Sequence, residues 1–244
     1  MVYHAKKPVL HPPFRPRYFI FHFLVFIFLV LWLGMLYGLV FGVGLGLSSY
    51  MIFLILMASL IGSNINIPLF YVRSWKPIIK AEVVKVFLWD FIVPTVDWEE
   101  AKTLISVNVG GCIIPVVLSL YLIYKMILAT SIHILIPLII AIAINSILIN
   151  SVSRPVEGLG IVTPALLPPL FTVIVSELVF IFTPPVNVFA FIYTVGTLGS
   201  LIGADLLNLD IIPRLGAPVA SIGGAGIFDG IFLNGIFAVI LAMM

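Results

Sequence analysis

The chain predicts an all-α fold, a polytopic bundle of about seven transmembrane helices, and three observations carry that prediction. Of its 244 residues, 62% are hydrophobic and only 9% charged, with a mean hydropathy of +1.28; a soluble domain carries about 25% charged residues. The apolar stretches are long, and about 20 residues suffice to cross a bilayer as a helix. The charges fall between those stretches, and lopsidedly so. The expected organisation is a basic, proline-rich cytoplasmic tail over residues 1–17, then a single transmembrane domain over 18–244, in which 73–102 forms a cytoplasmic interfacial segment.

Span one is expected over Tyr18–Leu47, a run without a charge that is too long for a signal-peptide core. Gly34, Gly38, Gly42 and Gly46 recur every four residues along it, a spacing that predicts a helix-packing face. Span two is expected from about Met51 to Val72. The segment Arg73–Lys102 follows, with β character around Val83–Phe91 and interfacial tryptophans at 75, 89 and 98, so a small hairpin or a surface-lying stretch is expected. Asp97 and Glu100 read as a capping box starting span three, which ends near Lys125. Span four covers about Ser131–Val152, span five ends near Thr183, span six runs from Val186 to Ile212, and span seven from Val219 to the end. With the N-terminus inside, eleven basic residues lie on the inner side and only Lys125 outside, the asymmetry expected of cytoplasmic loops.

Two further patterns bear on function. Ser59–Asn64 (SLIGSN) in span two matches Ser200–Asp205 (SLIGAD) in span six, and SVNVGG at 106–111 resembles ASIGG at 220–224. These matches predict an internal parallel repeat of helices 2–3 and 6–7, a device common in transporters. In the second copy, Asp205 and Asp229 lie on consecutive apolar, glycine-rich segments. Carboxylates in hydrocarbon are costly and generally face a protein interior or a water-filled cavity. Counted as helix from Pro213 and Pro218, the two sit about 12 and about 16 Å deep, close to the half-thickness of about 15 Å. Two carboxylates that close share a proton and can activate water, one as base and the other as acid. Thr194, Thr197, Leu201, Asp205 and Asn208 form a stripe at helical spacing, and Gly224 and Gly226 leave room beside Asp229.

The bland alternative is that each aspartate bonds a neighbouring helix through Asn108, Asn145 or Asn150. Glu177 is a weaker candidate within reach of the interface, and Asp210 and Glu157 lie near the cytoplasmic surface. Cys112, the one cysteine, reads as a small buried packing residue. No histidine has a second ligand at i+3 or i+4, so neither a metal nor another cofactor is expected.

The strings SNINIPL, VNVGG, PALLPP, GTLGSLIGADLLNL and SIGGAGIFDGIFL together resemble an uncharacterised family of bacterial and archaeal membrane proteins, from about residue 50 to the end. More loosely, the pair of aspartates resembles presenilin and the signal-peptide-peptidase class of intramembrane aspartyl proteases. Those enzymes carry one aspartate on each of two consecutive helices, the second in Gly-x-Gly-Asp, with a Pro-Ala-Leu motif nearby. Here Ile227 and Phe228 separate Gly224-Ala225-Gly226 from Asp229, and Pro164-Ala165-Leu166 precedes both acids. The resemblance implies Asp205 and Asp229 as a catalytic pair acting on a transmembrane peptide. The alternatives are a proton- or ion-coupled transporter, with Asn64 and Asn108 joining the same acids in an ion site, and a non-catalytic scaffold. The expected partners are the lipid bilayer and either a transmembrane peptide or a small ion, with no nucleic acid.

Overall fold

The computed structural model describes residues 34–35, 38–86, 89–156, 160–212, 217–224 and 229–244. The basic tail and most of span one lie outside them. A π-helical segment, Gly38–Gly44, precedes α1, Ser49–Gly62, whose N-cap Ser48 accepts a hydrogen bond from the Met51 amide. Two long strands follow, β1 (Asn66–Val86) and β2 (Trp89–Asn108), and then a π-turn, Val109–Ile113, opening α2 (Ile114–Ala129). Next come α3 (Leu135–Val152), β3 (Arg154–Val156), β4 (Gly160–Val162), α4 (Leu167–Phe180) and α5 (Val188–Ser200). A π-turn (Leu201–Asp205) and a 3-10 turn (Leu206–Asn208) extend α5, and β5 (Val219–Ile222) and α6 (Gly230–Met243) complete the order.

The helices bear out the expected spans unevenly. Span four matches closely: Ser131 caps a 3-10 turn at Ile132–Ile134 that runs into α3, which ends at Val152. Span two stops early. Ser63 and Asn64 turn their side chains back onto the Ser59, Leu60 and Ile61 carbonyls, and Pro68 lacks a donor, so the helix ends at Gly62 and the chain extends from Asn66. The capping box is also overturned. Asp97 lies within β2 and pairs with Lys80, and Glu100 approaches Arg73 at 3.7 Å. The helix begins instead after Asn108, whose Oδ1 accepts from the Gly111 amide at 2.9 Å. The two identities of a capping box could not outweigh a strand paired along its whole length. Span seven starts at Gly230 rather than Val219, because Val219–Ile222 pairs as a strand.

The expected small hairpin is thus a long one. β1 and β2 pair antiparallel from Asn66↔Asn108 to Val86↔Trp89, with one irregularity at Pro68/Phe70. At about 3.4 Å per residue, twenty residues extend roughly 70 Å. Its base is anchored: β5 pairs parallel with β2 from Leu104↔Val219 to Val107↔Ile222, giving the order β1-β2-β5. Alternation decides which side packs. Ser74, Thr103 and Ile105 are buried, whereas Tyr71, Arg73 and Lys102 are exposed. Beneath the sheet, Ile105, Cys112, Ile212, Ile222 and Ile231 form one apolar cluster. That cluster ties the sheet to the end of α5 and the start of α6.

In the bundle α5 is the central helix. The 21-residue stretch Val188–Asn208 is 61% buried over its apolar window, against 33% for Val109–Ala129 and for Ile132–Val152. These three are the helices long and apolar enough to cross a membrane among the described residues, and they mark the chain as a membrane protein; α1, α4 and α6 are apolar but shorter. Glycines let the neighbours close on α5. A Cβ at Gly203 would strike the Ser146 carbonyl of α3, and one at Gly196 would come within 3.2 Å of the Gly235 Cα on α6. The glycine face expected on span one packs differently. Among the described residues, a Cβ on Gly34 or Gly38 would meet nothing and on Gly42 only Ile52 at 3.5 Å, whereas Gly44 abuts Met243 and Val239 of α6. Gly46 instead serves a turn with φ +63°.

Candidate functional site

Asp205 and Asp229 meet at the end of the bundle that carries the sheet. The helix of α5 loosens into a π-turn over its last residues, and Asp205 closes that turn, half-buried. π-turns widen a helix and leave carbonyls in need of donors. Here the Gly203 carbonyl accepts from Asn150 Nδ2 of α3 at 3.0 Å and from Asn208 Nδ2 at 3.2 Å, and Asn208 also reaches the Ala204 carbonyl at 2.9 Å. Two amide side chains therefore hold the turn that presents Asp205.

Asp229 is the N-cap of α6, and its Oδ1 accepts from the Ile231 amide at 3.0 Å. A carboxylate there is favoured by the positive end of the helix. The chain reaches it through Gly223, at φ +70°, where a Cβ would stand 2.7 Å from the Cys112 backbone nitrogen. A side chain at this position would need both a strained backbone and a displaced α2 start. Asp205 and Asp229 lie within electrostatic reach of each other, and both act on Cys112. Cys112 is buried, as expected of a packing residue.

The depth expectation needs correcting. Val219–Ile222 is a strand and Gly223–Gly224 a turn, so counting helical rise from Pro218 places Asp229 wrongly. Asp229 stands at the first turn of α6, about 21 Å from its far end, and Asp205 lies about 26 Å from the start of α5. In a hydrocarbon core of about 30 Å both sit toward one face rather than at the midplane.

A cavity of about 190 Å³ adjoins them, lined by Pro164, Ala165, Ser200, Ala204, Gly230 and Asn234 among others. Its wall holds the residue before one aspartate, the residue after the other, and the start of the Pro-Ala-Leu motif. Behind it lies a polar knot that joins four helices. Asn145 Nδ2 donates to Thr172 Oγ1 at 3.0 Å and to the Val195 carbonyl at 3.1 Å. Asn234 Nδ2 reaches Ser200 Oγ at 2.7 Å and the Gly196 carbonyl at 3.0 Å, and Thr172 Oγ1 donates to the Pro168 carbonyl at 2.8 Å. Asn145 Oδ1, Thr197 Oγ1 and Ser176 Oγ are buried without a hydrogen bond. Sequence reasoning missed Thr172 and Asn234, although an asparagine inside an apolar helix is itself a signal.

The other candidates separate from the pair. Asn108 is buried and committed to backbone: its Nδ2 donates to the Ser63 carbonyl at 2.8 Å and to Asn66 Oδ1 at 3.0 Å. Asn64 is exposed and bonds its own helix end. Thr197 is buried at the crossing of α5 with α6, where Gly235 makes room for it. Gly224 turns back onto the Ser221 carbonyl at 3.0 Å, and Gly226 lies outside the described residues. Glu177 and Asp210 are exposed. Among the described residues no three His, Cys, Asp or Glu gather as a metal site.

The chain matches no curated protein and no solved structure. A family model does match, over residues 60–241, and it covers all but Ser59 of the two copies of the repeated motif, both aspartates and the hairpin between α1 and α2. The chain therefore belongs to DUF1614, a family described as proteins of unknown function.

Proposed function

We propose that the chain is a seven-span membrane protein with a cytoplasmic N-terminus, and that Asp205 and Asp229 are the water-activating pair of an intramembrane aspartyl protease. The observation that carries the activity is their convergence beside the cavity between Ala204, Gly230 and the Pro164–Ala165 loop. In such a pair one carboxyl keeps a proton while the other is ionised. The ionised member takes a proton from a water as its oxygen bonds to the scissile carbonyl carbon. The protonated member gives its proton to the carbonyl oxygen. When the C–N bond breaks, the first member gives its proton to the leaving nitrogen, and the second takes one back from a hydroxyl of the gem-diol as that oxygen becomes the carbonyl of the product acid. The Asn150 and Asn208 amides support this by fixing the turn that carries Asp205.

The topology has independent support. The end of the bundle with the aspartates also carries the hairpin and β3, with Arg73, Lys76, Lys80, Lys85, Lys102 and Arg154, whereas Lys125 closes α2 at the opposite end. Basic residues mark the cytoplasmic side. An ion-coupled transporter is the second reading, and one observation favours it: oxygens of Asn145 and Thr197 are buried in the bundle without a partner. Asn64 and Asn108 add nothing to it, since their amides serve helix ends.

Incubating the purified protein with a panel of single-span substrates, with and without an aspartyl-protease transition-state analogue, tests the assignment. Cleavage should occur, be blocked by the analogue, and vanish in Asp205→Asn and in Asp229→Asn. Cleavage that survives Asp229→Asn overturns the role of the pair; uptake of an ion without cleavage at any pH favours the transporter. For the topology, a cysteine placed at Lys76 should be labelled from the cytoplasmic side alone, and one at Lys125 from outside alone.

A further inference from the structure

The first strand's lysines fall opposite or diagonal to an acid of the second. The register sets Lys76 opposite Glu99 and Lys85 opposite Asp90, and Lys80 binds Asp97. Arg73, however, faces Lys102. Like charges directly opposite each other destabilise an antiparallel pair. Arg73 has Glu100 at 3.7 Å, with both side chains largely in solvent, and this leaves a net positive charge between the strands. Together with Tyr71 and Val72 the two cations line a cavity of about 360 Å³ on the exposed face of the sheet.

The position of this cavity along the strand is the second observation. Just before it, Ile65, Ile67, Leu69, Phe70 and Tyr71 are 43–68% exposed, an apolar stretch with no protein cover among the described residues. It begins where α1 ends. That helix is only about 21 Å long and falls short of a hydrocarbon core of about 30 Å. The apolar stretch continues beyond that shortfall, and Arg73 and Lys102, paired across the strands, are the first charges that end it, with a tyrosine at the boundary between apolar and charged surface. Aromatic rings and basic side chains are the groups that hold to the headgroup layer.

We infer that Tyr71, Arg73 and Lys102 form a clamp for the phosphate of an anionic phospholipid in the leaflet from which the hairpin rises. The phosphate sits between the guanidinium and the ammonium and removes their repulsion. The guanidinium offers paired N–H donors to two oxygens, the lysine offers a point charge, and the acyl chains lie along the exposed Ile65–Phe70 stretch. The inference is independent of any catalytic role for the aspartates. It predicts that the hairpin's seating on the bilayer depends on lipid charge.

The full chain in neutral detergent can be titrated with short-chain phosphatidylglycerol, short-chain phosphatidylcholine or inorganic phosphate, with bound lipid counted by native mass spectrometry. Phosphatidylglycerol should bind saturably and in preference to phosphatidylcholine. Arg73→Gln and Lys102→Gln should each weaken it about fivefold, from roughly 1 kcal/mol per basic residue at a charged lipid surface. Arg73→Lys should retain most of the binding, which separates loss of charge from loss of fold, and Lys80→Gln should leave it unchanged. The proposal is overturned if both glutamine variants bind phosphatidylglycerol like the parent. An equal loss in Lys80→Gln makes the attraction diffuse rather than a site, and also overturns it. Phosphate binding as tightly as the lipid rejects the lipid as occupant.

Discussion

The two copies of the Ser-Leu-Ile-Gly motif end their helices in different ways. In the first, Ser59 Oγ donates to the Gly110 carbonyl at 2.7 Å, and Gly62 presses on Val109 at the start of α2. Asn64 then folds back on its own helix, and the chain leaves as a strand. In the second, Ser200 Oγ receives Asn234 at 2.7 Å, and Gly203 presses on Ser146 of α3. The helix widens into a π-turn that Asp205 closes, within electrostatic reach of Asp229. In both copies a strand lies between the two helices, and these strands, β2 and β5, run side by side and parallel. The same helix-strand-helix unit is therefore closed by backbone contacts in one copy and left with two acids and a cavity in the other. The two positions at which the motifs differ, Ser63 against Ala204 and Asn64 against Asp205, track that division.

The largest expected effect concerns the acids. If the second copy alone carries chemistry, Asp205→Asn and Asp229→Asn should each lower the cleavage rate by about 10²–10⁴, the range for a positioned acid or base. The double variant should fall no further, because the two act as one unit. Asn64→Asp, which gives the first copy the second's acid, should neither rescue these variants nor add a second activity. Rate measurements on the four proteins decide it, and rescue by Asn64→Asp would mean that the two copies are interchangeable.

The packing of the second copy should show in a second measurement, against a glycine outside both copies. Gly203→Leu forces a side chain onto the α3 backbone and should destabilise the protein by about 1–3 kcal/mol, read as a lower thermal midpoint in detergent. Gly38→Leu, where no atom lies within 4 Å of the new Cβ, should leave the midpoint unchanged. A buried-amide variant, Asn234→Leu, should cost about 1–3 kcal/mol, since Ser200 and the Gly196 carbonyl lose their donor. If Asn234→Leu is neutral, water fills the knot and the cavity is wetter than its dry walls suggest.

What could be read from the sequence followed local chemistry. Span four was legible because its cap and its apolar run agree, and the coupled aspartates because acids in hydrocarbon stand out. The length of the hairpin was not legible, since strand pairing is a property of two distant stretches and the capping pattern of Asp97 and Glu100 speaks of only one. Sequence periodicity did not single out Gly44 on the first helix: Gly34, Gly38 and Gly42 keep the four-residue spacing, yet among the described residues Gly44 is the one that touches α6. Spacing defines a face but does not say which neighbour meets it. Thr172 and Asn234 escaped because a polar knot forms only when four helices bring single side chains to one point.

The smallest effect belongs to the hairpin that the first copy carries and the second lacks. Lys80 pairs with Asp97 across the strands, and that bond and charge hold the ammonium's pKa above its ordinary value of 10.5. A lysine with a raised folded pKa adds stability that is fully present below the unfolded value and is lost as pH rises through the folded one. The pair should thus support the strands throughout the neutral range and fade only above about pH 10.5. Since both side chains are about half exposed, the contribution is small and screened by salt. Amide exchange of Thr95 and Lys80 should quicken slightly in Lys80→Gln at neutral pH and low salt, and the difference should shrink in high salt. Cleavage by the second copy should not change with it. A variant that altered both would show that the hairpin and the aspartates act together, and that the division between the two copies is incomplete.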